Sequence, residues 1–124
     1  MNEILTQEKS IYLKIGEMIE TDILRGILLE EERAPSTNEL AKIYAINPAT
    51  AAKGINMLVD SGILYKKRGI GMFVAPGAKE QILKRRREEF YNHFVKKLLQ
   101  EAASIGLNKE QVIQMIQISD ENNK

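Results

Sequence analysis

Two short helix signatures in tandem, each opened by its own capping signal, precede two β-prone stretches around a Gly-rich basic turn. Together they predict a mainly α chain with a small β-hairpin. The expected architecture is a winged helix-turn-helix domain over residues 1–76, followed by a two-helix extension for dimerisation over 77–124. The centre of the plan is APSTNELAKIYAINPATAAKGINMLVDSGILYKKRGIGMFV, Ala34–Val74.

At 124 residues the chain allows one small domain with an appendage, and an apolar content of 44% supports a modest core. The absence of cysteine excludes a disulfide framework and a thiolate metal site. No apolar run approaches the roughly 20 residues of a membrane span. The opening MNEILTQEKS lacks the basic region and apolar core of a signal peptide. A soluble, cytoplasmic protein without membrane association follows as the expectation.

Met1–Gln7 shows no clear periodicity and reads as an extended lead-in. Ile11, Ile15, Met18, Ile19 and Ile23 recur at helical steps, and Gly26 suits the left-handed stop. Ile27–Pro35, with Glu30, Glu31 and Glu32, reads as a solvated connector. Ser36-Thr37-Asn38-Glu39 is a capping box opening a short helix with Leu40, Ala41 and Ile43 inward. Tyr44-Ala45-Ile46 makes the turn, and Ile46 anchors it to the core. Asn47-Pro48 then opens the third helix, Asn as N-cap and Pro at its first position. Ala51, Ile55, Leu58 and Val59 form its buried stripe. Ala49, Thr50, Lys53, Asn56 and Met57 face wholly or partly outward, and Gly62 ends the helix.

Ile63–Lys67 and Met72–Ala75 read as strands joined by the four-residue turn Arg68-Gly69-Ile70-Gly71. Pro76-Gly77 marks the boundary. Lys79–Ile105 reads as one long helix, with Phe90, Phe94, Leu98 and Ala102 four apart and Tyr91, Val95 and Leu99 widening the apolar face. Gly106 stops it. Asn108 and Gln111 cap a last helix carrying Val112, Ile113, Met115, Ile116 and Ile118, and the tail 119–124 reads as frayed. So much apolar helix surface points to a second copy of the chain as partner. The expected interface is Phe90, Tyr91, Phe94, Val95, Leu98, Leu99, Ala102, Val112, Ile113 and Ile116.

Charge supports a nucleic-acid surface where the net value of +1 does not. Residues 1–35 carry −4, residues 36–74 carry +3 and residues 75–124 carry +2. A phosphate backbone responds to the local field. The candidate DNA-binding residues are Ser36, Thr37, Asn38, Asn47, Pro48, Ala49, Thr50, Lys53, Lys66, Lys67, Arg68, Gly69, Ile70 and Gly71. Each has a plainer reading beside it. Asn38, Asn47 and Thr50 cap or sit beside helix ends, where capping is the ordinary role, as it is for Ser36 in its capping box. Lysines on an exposed hairpin also guard against edge pairing. Thr50 is preferred over Asn47 as a contact. Lys84-Arg85-Arg86-Arg87 fits either a solvated helix face or a DNA backbone contact. His93 stands alone, so no metal site is expected. No catalytic set, phosphate loop or cofactor motif is present, and the chain reads as a non-enzyme.

In combination, SIYLKIGEMIETDILRG, APSTNELAKIYAINPATAAKGINMLVDSGIL and KKRGIGMFV resemble the GntR-type winged-helix transcription factors. The short helical C-terminal extension resembles the YtrA subfamily. The resemblance implies a bacterial homodimer that binds a pseudo-palindromic DNA operator and usually represses, in that branch often at transporter operons. It implies a third helix in the major groove and a hairpin tip in the minor groove. Asn38, Asn47, Pro48 and Ala52 stand where the family often has Arg, Ser or Thr, Arg and Arg. Thr50 matches a frequent contact, and Arg68 and Gly69 match the wing tip. More reliance on phosphate contacts, the wing and DNA shape is therefore expected. The effector is unspecified. The alternative reading, from a different class, is a winged-helix module for protein–protein association.

Overall fold

The structure, a computed structural model, describes residues 2–122, with side chains over 10–119. Contacts divide the chain into two compact units, one ending at Leu83 and the other beginning at Lys84.

In the first unit, α1 (Asn2–Leu24) is followed by α2 (Thr37–Tyr44), α3 (Pro48–Asp60), β1 (Leu64–Lys67) and β2 (Gly71–Val74). Helix α1 starts at Asn2, so residues 2–7 are helical where the sequence suggested an extended lead-in. Its buried stripe is Ile15, Ile19 and Ile23, and these join Leu40, Ala51, Ile55, Leu58, Ile63, Leu64 and Val74 in one core. Helices α1 and α3 cross where both carry glycine. A Cβ at Gly54 would lie 2.8 Å from the Tyr12 carbonyl oxygen, so only glycine permits this approach. The strands pair antiparallel with Leu64 opposite Val74 and Lys67 opposite Gly71.

The segment before α2 is not a free connector. Val74 N–H donates to the Glu32 carbonyl (2.9 Å), Glu31 N–H to the Val74 carbonyl (2.8 Å) and Ala34 N–H to the Met72 carbonyl (2.8 Å). Residues 31–34 thus pair along the second edge of β2, with Arg33 opposite Phe73. The acidic triplet is built into this arrangement. Glu30 accepts from Gly77 N–H (3.0 Å), Glu31 from the Tyr65 hydroxyl (2.6 Å) and Glu32 from Leu29 N–H (2.6 Å).

Pro76-Gly77 is a turn inside the first unit rather than its end. Ala78 and Ile82, from the start of α4 (Ala78–Phe90), are wholly buried in the same core. Gln81 also donates to the Ser61 carbonyl at 2.6 Å.

In the second unit, α4 continues through a π turn (Tyr91–Val95) into α5 (Lys96–Ser104), and α6 (Lys109–Asn122) follows. The Lys96 N–H reaches back to the Tyr91 carbonyl. The expected single helix is therefore continuous but carries one widened turn, which rotates the residues beyond it. The file expected to share one face is not uniform: Phe90, Tyr91, Phe94 and Leu98 are exposed, whereas Ala102, on the helix that packs with α6, is buried. Asn108 and Gln111 cap α6 reciprocally, Gln111 N–H to Asn108 Oδ1 at 2.9 Å and Asn108 N–H to Gln111 Oε1 at 2.8 Å. Residues 123–124 of the tail lie outside the described residues.

Candidate nucleic-acid interface

The helix-turn-helix is set by two caps and one strained residue. Ser36 Oγ accepts from Glu39 N–H at 3.1 Å, and Asn47 Oδ1 accepts from Ala49 N–H at 2.9 Å. Both side chains therefore do the capping work that the sequence suggested. Between them, Ala45 takes the left-handed conformation (φ 52°, ψ 47°) and ends α2. The Ile46 N–H returns to the Ala41 carbonyl at 3.0 Å, and Ile46 packs partly against the core.

Two residues face differently from expectation. Ile43 is 68% exposed. The inward stripe of this two-turn helix is centred between Leu40 and Ala41, and Ile43 falls about 110° from that centre at 100° per residue. Thr50 is buried, 6% exposed, and cannot present its hydroxyl on the free face as expected. Gly54 lies one turn beyond it on the same side of α3, where α1 comes closest. A glycine contributes no apolar signal, so the periodicity alone placed the stripe too far round. The outward face of α3 consists of Asn47, Pro48, Ala49, Lys53 and Asn56, with Ala52 and Met57 half-buried at its edges. At the entry to α2, Asn38 is exposed while Ser36 and Thr37 are half-buried.

The hairpin supplies the charge. Its turn is Arg68-Gly69-Ile70, one residue shorter than expected because Gly71 already pairs with Lys67. The Ile70 N–H closes it on the Lys67 carbonyl at 2.9 Å, with Gly69 at φ +76°. Lys66, Lys67, Arg68 and Gly69 are exposed, and Ile70 is 61% exposed at the tip, while Gly71 is half-buried. The Lys67 ammonium sits 4.3 Å from the Phe73 ring centroid and 5.9 Å from that of Tyr65. That geometry places a cation over aromatic faces. The Tyr65 phenol is held above its ordinary value, chiefly because its proton is shared with Glu31, with desolvation and the Glu31 charge adding to the effect.

Arg33 was not legible as part of this surface. Its Nε lies 2.9 Å from where a Cβ on Gly71 would be, so its side chain reaches the hairpin beside its turn. The signal that could have found it is the extended stretch before the Ser36 cap, three residues long and able to pair. In the second unit, Ala102 and Val112 are already buried within the chain. The exposed candidates for a partner copy are Phe90, Tyr91, Phe94, Leu98, Ile113 and Ile116, with Val95 and Leu99 half-buried. Of the basic run Lys84–Arg87, Arg85 pairs with Glu89 at 3.4 Å. Among the described residues, no group of three or more His, Asp or Glu could hold a metal, and no helix is long and apolar enough to cross a membrane.

A family model described as bacterial regulatory proteins, gntR family, matches residues 11–74. The chain is similar to the crystal structure of a transcriptional regulator of the GntR family from Bacteroides thetaiotaomicron. That similarity has a TM-score of 0.75 and 34% identity, covering 92% of this chain and 99% of that one. It is 33% identical over 73 residues to the HTH-type transcriptional repressor YtrA of Bacillus subtilis, covering 59% of this chain and 56% of that protein. It also resembles the DNA-binding domain of AraR in complex with operator ORR3, with a TM-score of 0.50 and 36% identity. That match covers 52% of this chain and 77% of that one.

Proposed function

The chain belongs to the gntR family of bacterial regulatory proteins, and on that premise we propose that it binds a pseudo-palindromic operator as a homodimer and represses transcription. The observation that carries this reading is the pairing of a doubly capped helix-turn-helix with an exposed basic wing in one unit. Helix α3 presents its N-terminal end, through Asn47, Pro48, Ala49, Lys53 and Asn56, to the major groove. An α-helix fits that groove, and the partial positive charge of its N-terminus favours nearby phosphates. The wing, through Lys66, Lys67, Arg68 and the glycines of its tip, follows the backbone into the adjacent minor groove.

The second unit supplies the pairing. Its exposed Phe90, Tyr91, Phe94, Leu98, Ile113 and Ile116 form apolar surface that a second copy would cover. Two α3 helices then sit about 34 Å apart, one duplex turn. Any effector acts through this dimer geometry. A neighbouring operon, a transporter operon first, is the target to test.

The decisive experiment is a gel shift on the region upstream of the chain's own gene, with sedimentation of the same sample. Selective binding at least about 10³-fold above random duplex is expected, with a dimer on the DNA. Arg68→Ala should weaken binding without changing which sequence is chosen. Equal binding to any duplex would refute the operator reading, and so would no binding. The latter outcome favours a protein-association module, for which the exposed Ile43 and Tyr44 offer a surface. A monomer would refute the pairing.

A further inference from the structure

The outer face of the wing contains a cationic notch that the hairpin sequence alone does not make. Residues 31–34 lie along the free edge of β2, opposite Phe73 at Arg33. Side chains directly across a pleated sheet share a face, so Arg33, Phe73 and Tyr65 stand on one side. Lys67 and Gly71, the next pair but one along the hairpin, stand on that side too. Gly71 has no side chain, and the Arg33 Nε occupies the space, 2.9 Å from where a Cβ would lie. From the other flank, Lys67 is held over the Phe73 ring at 4.3 Å. Arg33 and Lys67 therefore approach the same glycine from two strands.

Neither cation forms an ion pair among the described residues. Glu31 is engaged by the Tyr65 hydroxyl at 2.6 Å. Arg33 remains exposed. Two cations that flank the same glycine repel each other, and an anion between them removes that repulsion. The planar guanidinium fork matches a phosphate, and the ammonium adds a point charge.

We propose that Arg33 and Lys67 clamp one backbone phosphate of the operator over Gly71, making Arg33 a DNA-positioning residue. This rests on the DNA-binding reading above. The phosphate carries no sequence information, so the clamp fixes the register of the wing and leaves base choice to α3 and the tip.

The test is the salt dependence of duplex binding by the full chain. For wild type, Arg33→Ala and Arg33→Lys, the affinity for the upstream duplex is measured over a series of potassium chloride concentrations. Each neutralised phosphate contributes about −0.9 to the slope of log K against log salt. Arg33→Ala should flatten the slope by about that amount, with the preference for operator over random duplex unchanged. Arg33→Lys should restore the slope and only part of the affinity. Thermal unfolding of Arg33→Ala should stay near wild type, because the side chain is exposed. An unchanged slope would overturn the clamp, as would a slope change seen only together with a large drop in midpoint. If wild type binds duplexes without selectivity, the operator reading fails while the slope still decides the clamp. If it binds none, both fail.

Discussion

Gly54→Ala tests the crossing that fixes how α3 is presented. The added Cβ would lie 2.8 Å from the Tyr12 carbonyl oxygen and 3.0 Å from Ile15 Cγ2. The first neighbour is backbone of another helix and cannot rotate aside, so α1 must move away from α3. Overpacking of this kind costs about 1–3 kcal/mol. Alanine recovers up to about 1 kcal/mol of helix propensity. The net expectation is a loss of about 1–2 kcal/mol. For a domain of this size, each kcal/mol moves the midpoint by roughly 4–8 °C. Gly16→Ala is the control on the facing helix. Its Cβ would meet Met57 Cε at 3.3 Å, the end of a flexible side chain, and the other neighbours lie at ordinary contact distance. There the propensity gain should survive, leaving the midpoint unchanged or raised. Thermal unfolding followed by circular dichroism separates the two. A midpoint for Gly54→Ala at or above wild type would refute the claim that backbone contact sets the crossing. Equal losses at both glycines would refute the distinction between backbone and side-chain neighbours.

Two further outcomes are expected. Ala45→Gly should raise the thermal midpoint, because an L-residue held at φ 52° costs roughly 1–2 kcal/mol and glycine gives back only part of that in the unfolded chain; a lowered midpoint would show the turn is not strained. Tyr65 has its phenol raised above the ordinary value of 10.0 in the folded chain, so its hydrogen bond to Glu31 stabilises the fold below about pH 10 and is lost as pH rises through and beyond that value. Denaturant midpoints measured from about pH 8 to about pH 11 should therefore fall more steeply for wild type than for Tyr65→Phe, and parallel curves would contradict the bond's role.

What the sequence revealed and what it hid divide along a physical line. Ser36, Asn47, and the pair Asn108 and Gln111 were readable because a cap is decided by two or three neighbouring residues. Gly26, Gly62 and Gly106, all at positive φ, were readable as stops for the same reason. The hidden features depend on partners distant in the chain. Residues 30–34 begin with an acidic triplet that looks like solvated loop, yet the open edge of β2 pairs with residues 31–34 through backbone hydrogen bonds. Ala78 and Ile82 follow a Pro-Gly break that looks like a boundary, yet the first unit's core takes them in. Thr50 was misplaced because the close approach beside it is made by a glycine, the residue least visible to periodicity.

These corrections bear on how the two halves of the interface share the work on the proposed reading. With Thr50 buried and Asn47 Oδ1 engaged in its cap, the α3 face retains Lys53, Asn56 and the Asn47 side-chain NH2 as its free hydrogen-bonding heads. A face so sparsely equipped can make few of the bidentate base contacts that discriminate by about 1–3 kcal/mol each. The wing, by contrast, gains Arg33 beside Lys66, Lys67 and Arg68, and holds Lys67 in place over Phe73. Charge concentrated on a short, braced hairpin yields affinity and register with little base information. Selectivity must then come from how well the duplex deforms to meet two wings at once, and so from the spacing that the second unit imposes. The residues proposed to set that spacing, Phe90, Tyr91 and Phe94, flank or occupy the π turn, where the helix departs from regular geometry. A single inserted or deleted residue there would rotate every residue beyond it by about 100°, and so should impair operator choice while leaving wing-driven binding to random duplex intact.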